Sequence, residues 1–465
     1  MMKLICRILI LFLFISSCSR DSLITEPGAK ISLSTDELNF DTVFTATGSA
    51  TRQLKIFNDN NKKLRITSIS LRRGQNSYFS FNADGQQGPS VQNLEINARD
   101  SIYMYVTVKI DPGEDTLPFV VNDTIDISFN GNLRTVTLSS WGQNAYFLNA
   151  HIIRSDTTWT NKRPIVITGG VLVAEGIKLN IDKGARIYLH ADAPLIIEGS
   201  LVAEGDVHDS TKIIFQGDRL DRYYRDLPGS WPGIYFSPTS IQNRLENVII
   251  RNAYQGLVSE APATSAGKKL EIYNCIIENC YDAGIVGVNT SILGVNTLVS
   301  NCGKNMILVK GGSYTFKHCT NVAIGNAYVQ HRQPALTIAD FLREGDALKF
   351  APTSAEFTNC IFWGSNGTVE DEVVALKEGS ETFDIKFINC IMKFNTKPGN
   401  TTFTGVIENE EPLFVEVVNN ELKYNFRLRA GSIGIDGGVP AGVNFDLDGK
   451  VRDNIPDIGA FESTF

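Results

Sequence analysis

Glu271-Ile-Tyr-Asn-Cys275-Ile276 is the stretch whose reading decides the fold, because it returns with small variations along the second half of the chain. Close copies are Leu245-Glu-Asn-Val248-Ile-Ile250, Thr315-Phe-Lys-His-Cys319-Thr320, Glu356-Phe-Thr-Asn-Cys360-Ile361 and Lys386-Phe-Ile-Asn-Cys390-Ile391, with a looser one at Gly294-Val-Asn-Thr297-Leu-Val299. The residue after the Asn or His falls at positions 248, 275, 297, 319, 360 and 390, giving spacings of 27, 22, 22, 41 and 30. A base period near 22 with longer insertions describes one unit stacked many times, not a globular fold around a single centre.

Each copy alternates apolar and polar residues over a strand's length and lacks the 3.6-residue rhythm of a helix. Strands stacked in parallel lie about 4.8 Å apart, so equivalent residues of successive coils sit above one another. Asn side chains in such a column are expected to bond from coil to coil, relieving a buried amide of a cost of about 1–3 kcal/mol. The Asn column beside a Cys, Val and Ile column resembles a right-handed parallel β-helix. Gly-punctuated runs place earlier coils near Gly169: Leu172-Val-Ala-Glu-Gly176 repeats as Leu201-Val-Ala-Glu-Gly205. The coils are legible from about residue 160, and a composition change near 148 sets the domain at 148–430.

The expected fold class is all-β, a β-sandwich followed by this solenoid. Residues 30–147 hold alternating strands such as Leu64-Arg-Ile-Thr-Ser-Ile-Ser-Leu71 and Ile102-Tyr-Met-Tyr-Val-Thr-Val108, separated by turns. With Phe40-Asp-Thr-Val-Phe44 and Val106-Thr-Val-Lys-Ile-Asp-Pro112 they resemble immunoglobulin-like domains of the abnormal-spindle, SPD-2 and hydin type. That resemblance implies a spacer or docking module. Gly169-Gly-Val-Leu-Val-Ala-Glu-Gly176 and Pro228-Gly-Ser-Trp-Pro-Gly-Ile-Tyr-Phe236 resemble bacterial β-helix repeat lipoproteins of largely unassigned function. Residues 431–465, with Gly431-Ser-Ile-Gly-Ile-Asp-Gly-Gly438 and Asp457-Ile-Gly-Ala-Phe-Glu462, resemble the end segment of polysaccharide-lyase-like β-helix proteins. They are expected to cap the open edge of the last coil.

Residues 1–17 read as a signal peptide: Lys3 and Arg7 precede the apolar run Ile8–Ile15, which is too short for a permanent span. Ile15-Ser-Ser-Cys18 resembles the bacterial lipobox, which implies cleavage before Cys18, acylation there, and a membrane partner through that anchor. Residues 18–29 then form a linker. Asp does not directly follow Cys18, which by resemblance to known lipoprotein sorting rules implies the outer membrane, with the periplasmic or surface face left open. Of eight cysteines, six lie in the coils, and their periodic positions mark them as small buried fillers. A bridge between Cys280 and Cys302 stays open on spacing alone.

Three places carry candidate site residues. The insertion 217–233 offers Asp218, Asp221, Arg222, Tyr223, Tyr224, Arg225 and Trp231, aromatic faces and guanidinium groups suited to sugars and carboxylates. Residues 326–346, read as the source of the 41-residue gap, bring His331 and Arg332. Asp446 and Asp448 beside Gly449 are a weak calcium candidate, with a self-bonded turn as the favoured reading and no other cofactor expected. A net charge of −8 argues against nucleic acid as a partner. No catalytic residues are identifiable, because the repeated positions are Asn, Cys and aliphatics. The expected function is non-catalytic binding of a glycan or an envelope protein, with a polysaccharide lyase or glycoside hydrolase, and a structural assembly protein, as the alternatives.

Overall fold

The computed structural model describes residues 22–44, 49, 51–110, 119–222, 224–264 and 267–463. Cys18, the signal peptide and Tyr223 lie outside them. The chain divides into two compact units, one ending at Asn144 and the other beginning at Ala145. Both are built from strands; the helical turns among the described residues are two short 3-10 segments, Gly74–Asn76 and Asn419–Glu421.

The first unit is a sandwich of two five-stranded sheets. Alternation does the work locally: along Ser101–Val108 every second side chain is buried, and Leu64–Leu71 buries Leu64 and Ile66, then shifts phase by one residue to bury Ile69 and Leu71. The inward set, including Leu54, Ile66, Met104, Val106, Ile125 and Leu138, forms one core between the sheets. Asn132–Gln143, which pairs antiparallel with Phe119–Phe129, also runs parallel to the early strand Glu37–Phe44.

The second unit is a parallel β-helix of 26 strands in one continuous sheet. The first coil strand, Tyr146–Ile153, starts just before the composition change at 148 and pairs in parallel with Ile165–Val173. Successive coils then repeat at the motif's period: Leu270 lies beside Ile292, and Ile292 beside Tyr314. One apolar core runs through the stack from Ile153 to Phe394. Phe316, Phe357 and Phe387 stack through it at 5.5 and 5.0 Å between ring centroids.

The Asn column exists first for a backbone reason. Asn247, Asn274, Asn296, His318, Asn359 and Asn389 all have φ between 47° and 54°, the left-handed corner that Asn tolerates better than other side-chain-bearing residues. The expected continuous amide ladder is therefore broken. Asn296 donates to Asn274 Oδ1 at 3.0 Å and Asn359 to His318 Nε2 at 2.9 Å, but Asn359 also donates outward to the Val439 carbonyl, and Asn389 donates to the Gly437 carbonyl. The six coil cysteines are free and buried, so Cys280 and Cys302 are not bridged. Cys275, Cys319, Cys360 and Cys390 point their thiols at the carbonyl two residues earlier, at 3.2 to 3.5 Å. Thr297 holds the same place with its hydroxyl at 3.1 Å, which explains why Thr replaces Cys in the loosest copy.

The three outward faces of the solenoid differ in chemistry. One is polar, with Arg244 beside Glu271 on the next coil and, further along, Thr315, Glu356 and Lys386 in a row. The second carries Ile276, Leu298, Thr320, Ile361 and Ile391 in register. The third is an aliphatic row from Leu172 to Val374.

The closing segment covers the second face and does not cap the last coil, which corrects the expectation for 431–465. Leu447, Ile458 and Phe461, together with Phe426 and Leu428 of the hairpin just before the segment, pack over Leu298, Val322, Ile361 and Ile391. The polar corner column holds this strap along its length. Arg452 reaches Asn296 Oδ1 at 3.0 Å, and His318 Nδ1 faces the Asp457 carbonyl at 3.2 Å. Gly437 and Val439 meet Asn389 and Asn359. An open coil end needs only one cover, whereas a lateral apolar face needs a cover along every coil, and the strap's length matches the second demand.

Candidate functional site

The insertion 217–233 is fixed to a second left-handed corner column. Asn252, Asn279 and Asn301 have φ of 63°, 54° and 53°. Asn252 Nδ2 donates to the Arg225 carbonyl at 2.6 Å, and Asn279 Nδ2 donates to both Asn252 Oδ1 and the Asp226 carbonyl at 2.8 Å. The loop is thereby pinned to the corners of two successive coils, through Asn252 and Asn279, and its own charges are paired. Asp218 bonds His190 Nδ1 at 2.8 Å, and burial raises its carboxyl pKa against the pull of that imidazole. Asp221 is buried and bonded to Arg219 Nε at 3.0 Å. Arg219 lies 3.8 Å from the centre of the Tyr224 ring. Arg225 pairs with Asp226 at 3.2 Å, while Arg222 and Tyr224 are exposed.

Trp231 is corrected by the structure. It is 0% exposed, belongs to the solenoid core, and donates Nε1–H to the Arg251 carbonyl at 2.9 Å. Its backbone bridges to Ala253 of the next coil, and the Pro-Gly corner that follows packs on that coil so closely that a Cβ at Gly233 would run into the Gln255 carbonyl. His331 is corrected in the same way. It is buried, with Nε2 2.8 Å from Glu372 Oε1, and Glu372 is itself fully buried and accepts from the Ala335 amide. Gly364 leaves the room for this pair, since a Cβ there would collide with both. Arg332 stays exposed. Residues 326–346 are not one projecting loop, because Leu336–Ala339 pairs with the coils on either side and His331 bridges to Gly367. The projecting part is the hairpin Phe341–Glu344 with Ala347–Phe350.

Both carboxylate oxygens of Asp446 and of Asp448 accept hydrogen bonds from the protein itself. Asp446 Oδ1 accepts from the amides of Asp448 and Lys450, and its Oδ2 accepts from Glu462. Asp448 receives both arms of Arg427 at 2.7 and 2.6 Å. The turn bonds its own backbone, and no group of three or more potential metal ligands occurs among the described residues.

Two residues missed in the sequence complete the site. Tyr254 and Tyr281 stack coil over coil at 5.7 Å with an interplanar angle of 26°, and they are 46% and 57% exposed. Each falls six residues after a motif mark, at 248 and 275, and that shared offset was the available signal. Gly229, at φ 73°, brings the insertion against Tyr281, where a Cβ would lie 3.3 Å from the tyrosine's own. Beside the pair, Asp282 is held by Gln255 at 2.8 Å and Lys304 at 2.9 Å. On the other side of the insertion lies a cleft of about 220 Å³, lined by Asp226, Arg251, Glu278, Asn279, Asn301 and Tyr424. Burial raises the Glu278 carboxyl pKa, Arg251 opposes the shift, and Asp226 adds to it. A cleft, a pinned loop and a tyrosine pair thus follow one another around a single corner of the solenoid.

No family model matches the chain, and no curated protein matches it. Solved structures that resemble parts of it include a family 123 glycoside hydrolase from Clostridium perfringens, studied for glycolipid glycan hydrolysis, at 10% identity and a TM-score of 0.20 over 26% of this chain and 30% of that one. A protein of unknown function from Porphyromonas gingivalis W83 matches at 9% identity and 0.19, over 27% and 60% of the two chains. A human CEP192 PapD-like domain matches at 9% identity and 0.19, over 26% of this chain and 91% of that domain.

Proposed function

We propose that this chain is a lipid-anchored envelope protein whose solenoid corner binds an extended glycan without cleaving it. The observation that carries the reading is the exposed Tyr254–Tyr281 pair, stacked on successive coils beside the fixed carboxylate of Asp282. Sugar rings stack on aromatic faces, while oriented carboxylates and amides bond their hydroxyls. Rigid coils hold both elements in place, so little ordering entropy opposes binding. The cleft at Arg251 and Asn279 would receive the next part of the polymer around the corner.

Non-catalytic binding is favoured because most carboxylates here are already engaged: Asp218 with His190, Asp221 with Arg219, Asp282 with Lys304. A hydrolase reading has one observation in its favour, the raised Glu278 carboxyl in the cleft, which is what a general acid requires. The experiment uses the full chain carrying Cys18→Ser, incubated with neutral and uronic-acid polysaccharides. Retention on polymer that falls at least about tenfold with Tyr254→Ala and Tyr281→Ala supports binding. Shortened or unsaturated products that disappear with Glu278→Gln would make the chain an enzyme. Membrane release of the Cys18→Ser chain, with loss of lipid label from the parent, tests the anchor.

A further inference from the structure

The cleft beside the insertion is built from three separate stretches of the second unit. Asp226 belongs to the insertion, Glu421 and Tyr424 to the hairpin ahead of the closing segment, and Arg251 and Glu278 to the coil wall. Arg251 and Glu278 are in-register neighbours on successive strands. Parallel strands lie about 4.8 Å apart, close enough for two such side chains to pair. They do not. Arg251 turns back to the preceding coil and donates Nε–H to Gln216 Oε1 at 2.6 Å.

That turn leaves a gap in the charge pattern. At the rim, Asp226 is answered by Arg225 and Glu421 by Lys423. Among the described residues of the cleft, Glu278 is the carboxylate with neither an ion pair nor a hydrogen bond. The Tyr424 hydroxyl, which also lines the cleft, is buried without a hydrogen-bond partner; Asn326 is near it but outside hydrogen-bond geometry. A desolvated carboxylate without a cation, and a buried hydroxyl without a partner, both cost stability unless something outside the fold satisfies them.

We infer that the glycan bound at this corner carries free amino groups, one of whose ammonium ions sits on Glu278. This rests on the glycan reading and names its ligand class. An ammonium brings a positive charge and three donors, which suit a carboxylate, a tyrosine hydroxyl and amide oxygens together. A uronic acid would add an anion beside Glu278 and Asp226, and a neutral sugar would leave the charge unanswered. The raised Glu278 carboxyl agrees, because Asp226 adds negative potential that a bound ammonium would relieve. A peptide lysine offers the same ion, but the stacked Tyr254–Tyr281 pair around the corner favours a sugar ring. Glu278 and Tyr281 are three residues apart, so at most about 11 Å of chain separates them, and one short stretch of polymer spans both.

The experiment is calorimetric titration of the full chain carrying Cys18→Ser with the glucosamine hexamer and with the N-acetylglucosamine hexamer, at about pH 6, where Glu is ionised and amines are protonated. The glucosamine hexamer should bind at least about tenfold more tightly. Glu278→Gln, which keeps the side chain's volume, should shrink that preference to within about twofold, with an unchanged melting temperature showing that the fold is kept. The comparison of the two hexamers on the parent chain needs no variant. Binding of other polysaccharides through Tyr254, with no preference for the amino hexamer, would overturn this inference and leave the glycan reading standing. No binding of any saccharide would overturn both. A preference that survives Glu278→Gln would be general attraction to a chain of net charge −8 and would also overturn it. So would Glu278-dependent binding of a lysine peptide by a chain that binds neither hexamer.

Discussion

Two outer faces of the same solenoid carry aliphatic ladders, and they are treated in opposite ways. One is sealed by residues of the same chain, tied down by Asn296, His318, Asn359 and Asn389 at the coil corner. The other is bordered by a corner whose Asn252 and Asn279 hold a loop instead, and the exposed tyrosines stand next to it. Identical left-handed corners thus do two jobs. Their backbone demand selects Asn, and the amide left over is free to recruit whichever segment the chain supplies.

The largest expected effect comes from breaking the seal. Arg452 is buried and bonds Glu462 Oε2 at 2.8 Å, the Gly459 carbonyl at 2.9 Å and Asn296 at 3.0 Å. Arg452→Ala leaves Glu462 without its cation and should cost about 3–5 kcal/mol in a urea melt. No such loss is expected from Ile307→Asp on the bare face, and equal losses at both would erase the distinction between the two faces.

A smaller effect concerns acid. Burial and the nearby Arg452 charge depress the His318 pKa to about 3, so the ring is neutral in the folded protein. Its Nε2 accepts from Asn359 Nδ2 at 2.9 Å, a bond that protonation would turn into a donor–donor clash. The stability this contributes is complete above the unfolded pKa near 6.5 and is lost as pH falls toward the folded value. About 2 kcal/mol should disappear between pH 7 and 5. The raised carboxyls of Asp218 and Glu278 act in the opposite direction, because their contribution is lost as pH rises. The comparison is therefore wild type against His318→Asn, which keeps the residue type of the neighbouring coils. The variant's melting temperature should vary less between pH 7 and 5, and an identical profile would remove His318 from the seal.

On the bare corner, Tyr254→Ala should weaken glycan retention at least about tenfold, or about 1.4 kcal/mol, while leaving the melting temperature within about 2 °C, since the residue is 46% exposed. A parallel fall in stability would make the pair structural. The smallest effect is chemical silence. Burial pushes the Cys275 thiol up to about 12, and all six coil cysteines are buried out of reach of reagent, so they should resist iodoacetamide until denaturant is added. Alkylation of the native chain at any of them would mean that the coils open.

Much of the fold was readable residue by residue. The Asn-Cys rhythm records two local requirements, a corner at positive φ and a small apolar side chain behind it, and both repeat because the coil repeats. The site was less readable. Trp231 looked like a ligand-facing aromatic within a charged loop, yet it bridges to Ala253 of the next coil with its side chain in the core, whereas Tyr254 and Tyr281 look like isolated tyrosines until coil stacking brings them together. His331 had no visible partner because Glu372 is 41 residues away.

The sequence by itself determined the repeating unit, its period and the all-β class, since corner angles and side-chain volumes act within a few residues. Tertiary structure alone decided which outer face is sealed and which charges are paired. Those contacts join residues as far apart as Asn296 and Arg452, which come together only after the coils between them have stacked.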